Sequence, residues 1–254
     1  MVEFLKNVLG GLGRIGQGIG FQGMNVIGTI LLVSMTLILI GEMFNYQVVL
    51  TPLPRLVKRQ RRWNTKSIAV MGMTAALSVI LQVVGAVIVL VPGTITFRAD
   101  AMVRFPFGAI FGLPAVWGVG LANLLGDALA GTLGPGSIGG AVIAWWMPYL
   151  FYRLMRQPEQ RNMVKGGAWF KYYGISLLWC VIGSFYLCSS FQWLRLLPTE
   201  VIWVGVFPAV MVTTFIGGLA GPLVARIVGP AADKYGLSLD ETRFEVEGSN
   251  NVKA

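Results

Sequence analysis

The chain has 254 residues, of which 55% are apolar and 12% charged, about half the charged share of an ordinary soluble domain. Lys and Arg number 20 against 11 Asp and Glu, and there is no histidine. That composition excludes a sizeable soluble domain, His-based general acid–base catalysis and the Ser-His-Asp arrangement. It also weakens any haem, chlorophyll-type or zinc site, because imidazole is the commonest ligand of these groups. No cofactor or metal site is expected. There is no GxxxxGK[ST] phosphate loop, so the chain is not expected to hydrolyse nucleotides itself, nor to be an enzyme.

Residues 1–25 form a Gly-rich arm, and a strong helix is not expected there. A first apolar run over residues 26–50 is long enough to cross a hydrocarbon core of about 30 Å, and Pro52 and Pro54 end it. Residues 55–66 follow with six positive and no negative charges. The next spans are residues 67–90, a short pair over 101–113 and 115–133 broken at Pro114, then 138–154, 172–193 and 201–228. One tilted or re-entrant unit around Pro114 would read similarly. The tail, residues 229–254, is polar and predicts an extension without its own core.

Seven spans agree with the charge bias of the short loops. The basic segment 55–66 and the segment 153–171 (Arg153, Arg156, Arg161, Lys165 and Lys171 against Glu159) both belong inside. The N-terminus is then outside and the C-terminus cytoplasmic. The net charge of +9 is mostly this topology signal, with contacts to anionic membrane lipid, and no nucleic-acid partner is expected. Cys180 and Cys188 lie about two helical turns apart, too far to bridge each other, and read as small buried hydrophobes.

Small residues four apart recur: Gly72 with Ala76, Gly108 with Gly112, Gly118 with Ala122, Gly126 with Ala130, Gly217 with Gly221. Such pairs let helices approach closely in lipid. Packing within the bundle accounts for most of them, and docking of a separate partner is the alternative for Gly72 and Ala76.

The chemistry concentrates in residues 97–133. Arg98, Asp100 and Arg104 stand at the mouth of an apolar segment, and Asn123 and Asp127 share one helix face in the next. Charges within a membrane span are costly and mark function or a structural ion pair. Either these groups line a polar cavity, or Asp127 pairs with Arg98 or Arg104 and locks the bundle. Trp145, Trp146 and Tyr149 suit stacking on a flat ring or an interfacial aromatic belt. Gln192, Trp193 and Arg195, with Glu200, are interface anchors or the rim of the same cavity.

The segments TKSIAVMGMTAALSVILQVV (65–84) and RFPFGAIFGLPAVWGVGLANLLGD (104–127) resemble the substrate-binding (S) components of energy-coupling-factor vitamin transporters. The queuosine-precursor group is nearest, and the likeness covers residues 63–228. It implies an all-α integral membrane protein, a six-helix S-component-like bundle, here with one extra N-terminal transmembrane helix over residues 26–50. It implies a subunit that captures a vitamin-like small molecule from outside. A transmembrane coupling subunit and cytoplasmic ATPases would be its partners. By position, the cavity would draw on residues 94–104 and the outer ends of the last three helices. Its substrate-binding residues would be Arg98, Asp100, Arg104, Asn123, Asp127, Trp145, Trp146, Gln192 and Trp193. The partner-docking face would be Gly72, Ala75 and Ala76, although the family's Ala-x-x-x-Ala spacing is not present as such. The extra first helix and the polar tail depart from the family pattern. Both suit a divergent member with a different partner, or an accessory subunit of a larger membrane complex.

Overall fold

The computed structural model describes residues 20–49, 55–58, 63–91 and 95–238, and it is mostly helical. In chain order the helices are α1 (Phe21–Met43), α2 (Thr65–Ala86), α3 (Ala101–Phe111), α4 (Leu113–Leu129), α5 (Gly136–Leu154), α6 (Gly166–Trp193), α7 (Val201–Gly218) and α8 (Gly221–Lys234). A single helical turn, Pro158–Arg161, lies between α5 and α6. Two antiparallel strand pairs make the remaining links: β1 (Tyr46–Val49) with β2 (Arg55–Lys58), and β3 (Val89–Val91) with β4 (Ile95–Thr96). Four helices, α1, α2, α6 and α7, are long and apolar enough to cross a membrane, which marks the chain as a membrane protein.

The pattern of burial says the same in physical terms. Helix α2 buries Ser67, Thr74, Ser78, Gln82 and Gly85 and exposes Ile68, Leu77, Ile80 and Val84. Polar groups inside and aliphatic groups outside invert the rule for a helix in water and suit one facing lipid. Its N-terminus is capped by Asn64, whose Oδ1 accepts from the Ser67 backbone N–H at 2.7 Å.

Small residues bring the helices together. Helices α2 and α4 meet where Gly118 faces Met71 and Thr74, and where Gly126 faces Gln82. Helices α3 and α5 meet with Gly108 against the backbone of Pro148. The pair Gly72 and Ala76 is different. Both are exposed, Ala75 beside them is half-buried, and among the described residues no atom lies within 4 Å of where a Gly72 side chain would begin.

Several boundaries differ from those expected. The break between α3 and α4 falls at Gly112, whose φ of +71° favours glycine, while Pro114 sits in the first turn of α4, where its missing N–H costs nothing. The first span begins at Phe21, inside the expected Gly-rich arm, and ends at Met43; residues 1–19 lie outside the described residues. Part of the basic segment is strand β2, paired with β1. The last span stops at Gly218 instead of continuing to residue 228. It opens with a π-helical turn, Val201–Val206, just ahead of Pro208, where a wider turn accommodates the proline ring.

Helix α8 is amphipathic and separate. It lays Gly221, Pro222, Ala225, Gly229 and Ala232 onto the bundle, chiefly against α3, and exposes Leu223, Arg226 and Ile227. So the expected polar tail starts as a docked helix; residues 239–254 lie outside the described residues. Arg161 Nη2 and Asn162 Nδ2 each donate to Asp233 at 2.7 Å. Burial alone would raise the Asp233 pKa, but hydrogen bonds from Asn162 and Ser238 and the Arg161 guanidinium outweigh it and hold the carboxyl below its usual range.

Helix α1 belongs to the bundle, seated on α6 and α5. Gly28 lies tight against Ser189 and the Phe185 carbonyl, and the Thr36 and Tyr186 hydroxyls are 3.0 Å apart. At its end the buried Glu42 accepts from Tyr149 Oη at 2.6 Å, and Arg153 donates to that same Tyr149 oxygen and to the Val48 carbonyl.

Candidate functional site

Gly112 turns the chain so that α3 runs away from, and α4 back toward, one polar cluster. That cluster forms where the first turn of α3 meets the C-terminal half of α4 and the end of α2. Asp100 Oδ2 lies 2.7 Å from Arg104 Nε and 3.0 Å from Arg98 Nη2. Asn123 Oδ1 accepts from Arg98 at 3.0 Å and from Arg104 at 3.2 Å, while its Nδ2 donates to Asp127 Oδ2 at 3.3 Å. Gln82 closes the cluster, accepting from Arg104 Nη2 at 2.7 Å and donating to Asp127 Oδ1 at 2.6 Å. The Arg98 backbone N–H donates to Thr213 Oγ1 at 3.1 Å, which ties the cluster to α7.

A cavity of about 650 Å³ opens on one side of this cluster. Arg98, Asn123 and Asp127 form part of its wall, with Ser137 and Met147 of α5, Trp179 and Phe191 of α6, and Thr213 and Thr214 of α7. Asp100 and Arg104 stand behind that wall, fully buried. The expected polar residues therefore divide into a facing group (Arg98, Asn123, Asp127) and a supporting group (Asp100, Arg104). Among the described residues Asp127 makes no direct ion pair with either arginine; the amides of Gln82 and Asn123 and the Ser137 side chain hydrogen-bond to it.

The cavity lies at the end of the molecule away from the basic segments. Helix α2 starts beside Lys66, which bonds the Gly236 carbonyl next to α8, and its 22 residues carry the chain about 33 Å to Ala86 in the cavity wall. Helix α5 likewise starts in the wall at Gly136 and finishes near Arg153, which holds the β1 backbone.

The remaining expected site residues lie elsewhere. Helix α5 turns Ser137, Gly140, Ile143, Ala144 and Met147 to the cavity, and that spacing aims Trp145 and Trp146 away from it. Trp145 stacks on Tyr149 at 4.4 Å between ring centroids and meets Trp117 at 5.6 Å. Trp146 is 8% exposed and donates its Nε1–H to the Met35 carbonyl, so it seats α1 and belongs neither to the cavity nor to an interfacial belt. Gln192 accepts from Trp203 Nε1 at 2.9 Å, and the exposed Trp193 donates to Thr29 at 3.1 Å; neither lines the cavity.

Gln82, Thr213 and Trp179 are among the wall and cluster residues that carry no signal in the sequence. An uncharged Gln or Thr in an apolar helix costs too little to stand out. The indole Nε1–H of Trp179 has no hydrogen-bond acceptor among the described residues although the side chain is buried. No protein-family model matches the chain, and neither a curated protein nor a solved structure is found to be similar to it.

Proposed function

We propose that the chain is the substrate-binding membrane subunit of an ATP-driven importer of the energy-coupling-factor type, taking up a vitamin-like molecule or modified nucleobase. The observation that carries this is the cavity of about 650 Å³, within the size range of small-molecule sites, whose wall joins Arg98, Asn123 and Asp127 to Trp179, Phe191 and Met147. A few convergent polar groups among apolar ones fit capture of a compact ring compound, and the role is binding without catalysis. The subunit sits in the cell membrane with the N-terminus and the cavity outside and the basic segments and C-terminus cytoplasmic. The small-residue face at Gly72 and Ala76, exposed among the described residues, is where a transmembrane coupling subunit would dock, with cytoplasmic ATPases supplying the energy.

An accessory subunit of a larger membrane complex is the second possibility, and one observation favours it: Asp100 and Arg104 already neutralise each other out of reach of the cavity. Purification in mild detergent followed by mass spectrometry of everything retained separates the two. ATPase subunits or a bound heterocycle are expected. A stable assembly of several subunits containing neither would overturn the importer role.

A further inference from the structure

We infer that the cavity is built for an amphoteric ligand, one that carries a cationic or strongly donating nitrogen and an anionic or carbonyl acceptor on neighbouring atoms of a compact, partly aromatic body. This rests on the small-molecule-binding role proposed above and adds the charge pattern of the ligand.

The inference follows from the charges of the cluster. Two guanidiniums share one carboxylate, so Arg98, Asp100 and Arg104 together carry one positive charge. Asp127, beyond Asn123, supplies the one negative charge, held by the Gln82 and Asn123 amides and the Ser137 side chain instead of by an ion pair. Arg98 is 22% exposed and uses only its Nη2 for side-chain bonds among the described residues. Its remaining N–H groups are free to donate to an acceptor in the cavity it lines. The cavity wall thus has a positive pole at Arg98 and a negative pole at Asp127, one carboxamide apart, and no net charge.

A ligand with a single charge satisfies one pole and strips water from the other, leaving an uncompensated charge in a poorly polarisable site. An uncharged apolar molecule desolvates both. A ligand whose own dipole runs opposite to that of the wall satisfies both, and the site stays neutral. Beyond the poles, Trp179 offers a buried indole N–H without an acceptor, and Phe191, Met147 and Leu187 supply apolar surface for the ligand's body.

Four probes of nearly equal shape test this: phenylalanine, 3-phenylpropionate, 2-phenylethylamine and 2-phenylethanol, titrated calorimetrically into the full-length protein in detergent micelles. Phenylalanine is expected to bind at least about tenfold more tightly than any of the other three, the scale of one lost charge-assisted hydrogen bond. Asp127→Asn should move the preference to 3-phenylpropionate, and Arg98→Gln should move it to 2-phenylethylamine. If a singly charged or uncharged probe matches phenylalanine on the unaltered protein, the amphoteric pattern is overturned while small-molecule binding stands. If none of the four binds, the pattern is overturned as well. The binding role falls with it only when the gently purified protein also releases no small molecule on denaturation. The ranking on the unaltered protein decides the matter even where a variant fails to fold.

Discussion

Arg104 has no exposed surface, and the charge facing it is the Asp100 carboxylate 2.7 Å away, which also holds Arg98 at 3.0 Å. Removing that carboxylate leaves two neighbouring cations, one of them sealed from water, while removing Arg98 leaves a complete pair behind. Asp100→Ala is therefore expected to destabilise the protein by about 3–5 kcal/mol, the usual cost of stranding a buried charge. Arg98→Ala should cost distinctly less. Replacing Asp100 by Leu and Arg104 by Met together should recover most of the loss, since a buried pair exchanged for apolar groups is often neutral. Thermal unfolding of the purified variants in micelles checks all three. The sequence made Arg98, Asp100, Arg104, Asn123 and Asp127 legible because charge in an apolar run is rare and costly. It did not reveal Gln82, which bonds both Arg104 and Asp127, because a lone amide in a membrane helix resembles ordinary packing. Trp145 and Trp146 misled because aromatic character says nothing about which face of α5 meets the cavity; that depends on where α1, α4 and α6 pack.

Glycine has two uses among the helices. Gly118 of α4 sits where a side chain would run into the Met71 carbonyl and the Thr74 hydroxyl of α2, so it sets how closely those helices approach. Gly72, on the outward face of the same α2, meets no atom of the described residues there. Gly118→Leu should then lose at least about 1–3 kcal/mol through overpacking, seen as a lower unfolding temperature. Gly72→Leu should leave that temperature unchanged and, on the importer proposal, abolish copurification of the coupling subunit. A loss of stability at Gly72 equal to that at Gly118 would mean that its face is already occupied within the fold. Length and hydropathy located the four long apolar helices among the described residues, because about 20 apolar residues is a strong signal. Breaks were less legible. The eye goes to Pro114, but a proline in the first turn is compatible with the helix, and the reversal belongs to Gly112. Residues 219–228 read as more of a span since Leu223, Ile227 and Val228 are apolar. Yet Gly221, Ala225, Gly229 and Ala232 form a small-residue face that lets α8 lie on the bundle as a separate helix.

At the scale of the molecule the two ends differ in kind. One gathers Lys66, Arg153, Arg161, Lys165 and the docked α8, with the ion pair between Lys165 and Glu159 on its surface. The other holds the cavity, whose lining includes Thr132, Pro135 and Leu196. Positive charge resists translocation, and the orientation proposed above therefore puts the first end in the cytoplasm and the cavity outside. The assignment is open to direct test because both native cysteines, Cys180 and Cys188, are buried and offer no background to a polar thiol reagent. Thr132→Cys places a thiol on an exposed residue at the cavity end, and Lys165→Cys places one at the basic end, where the side chain is 71% exposed. A membrane-impermeant maleimide added to intact cells should label the first and spare the second, and permeabilised cells should label both. Labelling of Lys165→Cys in intact cells, with Thr132→Cys protected, would invert the molecule in the membrane. A cavity facing the cytoplasm could not collect a ligand from outside, so that single result would overturn the orientation and the import role together.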